Sequence, residues 1–119
     1  MDVLKEFLDE LRKFEFLRRE LDDEMAQWGA DVPSMQLFSR AGWEIVQNFE
    51  AMPPELRIHI FSLIENGMSS DWTLQTYVAT GLLEALNGAL SRTSGDLKRE
   101  IFSHLGVLSQ KHLAEWNQL

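Results

Sequence analysis

The sequence contains no cysteine, which excludes disulfides, thiolate catalysis and every zinc site with sulfur ligands. Its 3 prolines and 7 glycines are too few for a disordered or linker-rich chain. Apolar runs are short and nowhere reach about 18 residues, so no membrane-spanning helix and no membrane partner are expected. The N-terminal stretch MDVLKEFLDELRKF is charged throughout and lacks the apolar run and small-residue cleavage site of a secretory signal, so the expected location is cytoplasmic. Alternation with period two never extends beyond a few residues, so no sheet is expected. The GxSxG, P-loop, GxGxxG and HExxH patterns are all missing. The expectation is therefore a protein that is not an enzyme, with no cofactor, no metal and no catalytic residues.

Positive charge is also scarce, with 11 Lys and Arg against 19 Asp and Glu and a net charge of −8. A phosphate backbone would be repelled by most of such a surface, so nucleic acid is not an expected partner. Residues 1–35 carry ten acidic and five basic groups, residues 36–90 six and two, and residues 91–119 three and four. A basic partner approaching the first three quarters of the chain would be steered electrostatically.

What is present is helical patterning. With 119 residues, 45% of them hydrophobic and 25% charged, the chain has the size and composition of one globular domain spanning 1–119. From Val3 to Trp28, Leu4, Phe7, Leu8, Leu11, Phe14, Leu17, Leu21, Met25 and Trp28 recur at steps of three and four, which predicts one long amphipathic helix. Asp2 is its candidate N-cap and Gly29 its end. Phe16 lies off this stripe, which requires a wide stripe or a bend near Glu15. Its charged face, Asp22, Asp23 and Glu24 included, reads first as a solvated face. A second helix is expected from Ser34, as its cap, to Glu50, with Gly42 marking a close crossing or a bend. The MPPE stretch, Met52 to Glu55, starts a third helix that Asn66 and Gly67 are expected to stop.

The stretch from Asp71 to Leu90, DWTLQTYVATGLLEALNGAL, is small or apolar nearly all round and is the expected core helix, capped by Ser69, Ser70 or Asp71. Gly81 and Gly88 would admit close neighbours. After the SRTSG break, a last amphipathic stretch runs from Asp96 to Asn117, where Gly106 could split it. The predicted fold is all-α, a single-domain bundle of about five to six helices, antiparallel or arranged as stacked helical hairpins.

Glu84 is the only ionisable group inside the core helix. Such a carboxylate reaches the surface, pairs with a donor, or holds a raised pKa and a function; pairing or an edge position is the simplest account. Glu65 would approach it if the two helices formed a hairpin. His59 and His104 each follow a glutamate, Glu55 and Glu100, by four residues, which suits helix-surface pairs and not the Glu-x-x-His spacing of carboxylate-bridged metal bundles. Trp28, Trp72 and Trp116 fall near helix ends, where full burial is difficult, and tryptophan is enriched in binding hot spots.

The segment IFSLIENGMSSDWTLQTYVATGLLEAL, Ile60 to Leu86, resembles one shared by small, acidic, all-helical bacterial proteins. The shared features are a helix ending in a glutamate, a polar linker and an apolar helix holding the Leu83–Glu84 pair. Members of that group occur as immunity proteins of polymorphic toxin systems, contact-dependent or secreted. The resemblance covers about a quarter of the chain and implies an immunity protein, a toxin inhibitor that acts by protein–protein interaction with a cognate and basic protein toxin. The candidate contact residues are Asp22, Asp23, Glu24, Glu65, Asp71, Trp72 and Glu84. The alternative is a non-enzymatic helical scaffold or regulatory module that forms a homodimer through its first helix.

Overall fold

The computed structural model describes residues 2–117. The described residues contain no strand; they form α1 (Val3–Leu11), α2 (Glu15–Trp28), α3 (Ser34–Asn48), α4 (Pro54–Met68), α5 (Trp72–Thr76), a π-helical stretch (Tyr77–Leu83), α6 (Glu84–Leu90), α7 (Gly95–His104) and α8 (Val107–Trp116). Because α5, the π stretch and α6 run on without a break, residues 72–90 make one central helix and the bundle has seven helices, not five to six.

The extra helix comes from the N-terminal stretch, where the expected single helix is divided at residues 12–14. No glycine or proline breaks it. Phe14 takes an extended conformation (φ −84°, ψ 118°) and is buried, its ring meeting His59 edge-on at 5.1 Å. Tertiary packing therefore overrides a helical periodicity that is locally sound. Phe7, Leu8 and Leu11 belong to a helix lying against α3 and α5, whereas Leu17 and Leu21 face α3 alone. Arg12 closes the corner by donating from Nε and Nη2 to Asp22 Oδ1 at 3.1 and 2.7 Å.

The helix ends show which local signals act. Asp2 caps α1, accepting from the amides of Leu4 and Lys5, and Gly29 ends α2 with φ 78°, a conformation that L side chains rarely adopt. Asp71, and neither neighbouring serine, caps the central helix through Leu74 N at 2.9 Å. Ser34 does not cap α3; Pro33 holds the cap position and Ser34 is the first helical residue. Asn66 and Gly67 do not stop α4, which continues to Met68. Gly67 is buried there, and a Cβ on it would lie 2.8 Å from Val78 Cγ2.

The central helix is enclosed as expected. Val78, Leu82, Leu83, Leu86 and Ala89 are fully buried, and α3, α4 and α8 all pack on it. Its middle is π-helical, and the hydroxyls of Thr76 and Thr80 donate to the carbonyls of Trp72 and Thr76, a bonding that favours bending of the helix. Gly42 marks a close crossing: a Cβ there would fall 2.0 Å from the Leu82 carbonyl oxygen. The wide turn and the bare backbone of α3 thus fit one another. Gly81 is similarly tight against Met35 and Phe38, but Gly88 has no non-local atom within 4 Å of a Cβ position and admits no close neighbour.

Arg57 joins three elements at the far end of the molecule. It donates to the carbonyls of Phe49 and Glu50 and to Glu100, with its guanidinium 4.0 Å from the centre of the Phe49 ring. No helix of the described residues is long and apolar enough to cross a membrane.

Candidate functional site

The seven candidate contact residues do not form one surface. Glu24 is buried at 5% exposure and its two oxygens are engaged, Oε1 by Arg40 at 2.8 Å and Oε2 by the Trp28 indole N–H at 2.9 Å. Arg40, reaching from α3, also binds Glu20 and Glu44, so one guanidinium holds three glutamates and ties α2 to α3. Partial burial opposes its charge, but the hydrogen bonds of Glu20 and Glu24 and the field of Glu44 outweigh that effect. The Arg40 pKa therefore lies above the ordinary guanidinium value. Asp22 is committed to Arg12, and Asp23 accepts from Gln27 Nε2 at 3.0 Å while staying exposed.

Glu65 and Glu84 converge on α8. Glu65 accepts from Leu108 N at 2.7 Å, from Ser109 N at 3.1 Å and from the buried Ser109 hydroxyl at 2.8 Å. It caps the N-terminus of a helix 40 residues further along the chain, where charge and donors favour a carboxylate. Gly106 occupies the cap position of α8 and leaves room for this: a Cβ would lie 2.3 Å from Glu65 Cδ. One turn later, Glu84 Oε2 meets His112 Nε2 at 3.1 Å, with side chains 18% and 25% exposed. The Glu84 question resolves as pairing at an edge, with a partner 28 positions away that helical spacing could not reveal.

The two expected Glu–His pairs are not formed. His104 places Nδ1 3.0 Å from the Glu100 carbonyl oxygen and packs its ring on Phe49 and Phe61, while the Glu100 carboxylate goes to Arg57. His59 spends its ring on Phe14. Among the described residues no three His, Asp or Glu side chains gather to hold a metal ion.

The remaining candidates, Asp71 and Trp72, lie on open surface. Trp72 is the first residue of α5 and is 77% exposed, against 51% for Trp28 and 43% for Trp116. Beside it, α1 stands as a rib between two grooves. One, about 470 Å³, is lined by Val3, Glu6, Phe7, Asp9, Glu10, Ser70 and Leu74. The other, about 250 Å³, has an apolar floor from Leu8, Leu21, Met25 and Leu37 under a rim of both charge signs, Asp2 and Asp9 with Lys5 and Arg12. Glu6, Asp9 and Glu10 belong to what the periodicity assigns to a solvated face. Only the division of the N-terminal stretch, which sets α1 against α5, turns them toward Trp72's end of the central helix. No family model, no curated protein and no solved structure matches this chain.

Proposed function

We propose that this protein is a non-enzymatic binding protein of the immunity type, which neutralises a cognate protein toxin by covering part of its surface. The observation that carries this reading is the exposure of Trp72 at 77% beside Asp71 on a protein of net charge −8. A large aromatic left in water at a rigid helix start is a low-entropy anchor, and surrounding carboxylates speed and orient the approach of a basic partner. The buried glutamates fit the same reading as framework. Glu24, Glu65 and Glu84 use their oxygens on internal donors, which leaves contact to Asp71 and Trp72 and to exposed acids such as Asp23.

The alternative, a scaffold module that self-associates through its first helix, has less to work with. Phe7, Leu8, Leu11, Phe14, Leu17 and Leu21 are all buried within the fold, so this stripe offers no seam to a second copy. The test is co-expression with the product of the neighbouring gene. Rescue of growth and co-purification of the two proteins are expected; absence of protection, with a stable homodimer in solution, transfers the reading to self-association.

A further inference from the structure

The groove between α1 and α5 has a chemical character distinct from the rest of the surface. Its side chains supply three carboxylates, Glu6, Asp9 and Glu10, and no cation, over apolar surface from Val3, Phe7 and Leu74. Glu10 is partly offset by Lys13 at 2.8 Å and Asp9 only distantly by Arg12 at 3.9 Å, while Glu6 has no cation within ion-pair distance among the described residues. Trp72 lies between the lining residues Ser70 and Leu74 in the chain and is the most exposed tryptophan. The mixed-sign groove on the other side of α1 lacks this complementarity, since Lys5 and Arg12 stand beside its acids.

We infer that the α1–α5 groove is the docking surface, and that its occupant is a cationic amphipathic segment of a protein partner, with Lys or Arg on one face and an apolar side chain on the other. The basic groups meet Glu6, Asp9 and Glu10, and the apolar side chain enters over Phe7 and Leu74 with Trp72 closing against it. A carboxylate rim over an apolar floor selects such a segment against two alternatives. An acidic segment is repelled, and a purely apolar one leaves the carboxylates desolvated and unpaired. The inference rests on the binding reading above and assigns its surface.

The test uses the whole protein labelled with nitrogen-15 and two synthetic probes of about 14 residues. One is a helical peptide of Lys and Leu, the other its Glu and Leu counterpart. The cationic probe is expected to shift the amide signals of Glu6, Phe7, Glu10, Ser70 and Leu74 and the indole signal of Trp72, and the anionic probe to leave them in place. Glu6→Lys with Glu10→Lys, or Trp72→Ala alone, is expected to weaken cationic-probe binding by about tenfold or more. The charge-matched pair Asp23→Lys with Glu115→Lys, both exposed and outside the groove, is expected to change it by about twofold or less. All four substituted positions and Trp72 are on the surface, and an unchanged circular dichroism melt certifies the fold of each variant. Shifts that map to the Leu8, Leu21, Met25 and Leu37 groove, equal weakening by both charge-reversal pairs, or equal binding of the anionic probe each overturn the inference. A protein that binds the probe here but fails to rescue growth keeps the groove and loses the toxin reading. Rescue that survives Glu6→Lys, Glu10→Lys and Trp72→Ala together keeps the toxin reading and loses the groove.

Discussion

Gly42 and Gly88 both sit in helices, but a methyl group would meet very different surroundings. At Gly42 it would collide with the Leu82 carbonyl, a backbone atom that cannot turn aside. Gly42→Ala is expected to cost about 1–3 kcal/mol or more, measured by urea denaturation. At Gly88 the space is open and the backbone helical, so Gly88→Ala is expected to stabilise by about 0.5–1 kcal/mol through helix propensity. Sequence places both glycines in helices without telling them apart, because what distinguishes them is a neighbour 40 residues away for Gly42 and none for Gly88. Arg40 makes a second residue-level case. Arg40→Ala leaves Glu24 buried at 5% with one oxygen unmatched, and with the other partners partly solvated the expected loss is about 3 kcal/mol. Since the folded-state pKa of Arg40 is raised, its contribution is complete below the unfolded guanidinium value and disappears only as the pH climbs through the folded one. The stability difference between wild type and Arg40→Ala is therefore expected to stay level between about pH 7 and about pH 10, as chemical denaturation at several pH values would show.

Among the helices, α8 depends most on side chains from elsewhere. It has no side-chain cap of its own, buries Ser109 and Leu113, and is held by Glu65 at its start, by Glu84 on His112 and by paired amides between Asn87 and Asn117. Glu65→Ala leaves the Ser109 hydroxyl and two helix amides without their acceptor. A loss of about 1–3 kcal/mol is expected, and about half of that for Glu65→Gln, which keeps an acceptor oxygen but not the charge. Hydrogen exchange should locate the effect: amides of α8 exchange faster, while those of α3 and the middle of the central helix do not. The expected five to six helices came from periodicity, which found α3, α4, the central helix and both halves of the C-terminal stretch. It missed the division after Leu11, where an extended Phe14 is favoured by burial and by contact with His59, with no breaking residue to announce it. The candidate contacts divide in the same way. Exposed Trp72 was legible from its place at a helix start, whereas the internal duties of Glu24, Glu65 and Glu84 arise from long-range partners.

The molecule as a whole has one contiguous core, from Phe7 and Leu11 through Phe38 and Ile45 to Leu82, Leu86, Ile101 and Leu113. Its radius of gyration is 13.4 Å, close to the value of roughly 13.5 Å that a single compact unit of this length would have. Heat unfolding is accordingly expected to be a single transition, with equal calorimetric and van't Hoff enthalpies; a separate early transition would mean that α7 and α8 unfold apart from the rest. The π stretch at Tyr77–Leu83 bears on this whole-body arrangement. Its hydrogen bonds span five residues where an α-helix spans four, so it holds surplus length. Removing one residue there would restore a regular helix, yet turn everything beyond it by about 100° about the axis. Glu84 would swing away from His112 and Asn87 from Asn117, so a shorter and locally better helix would leave the last helix of the bundle without two of its moorings.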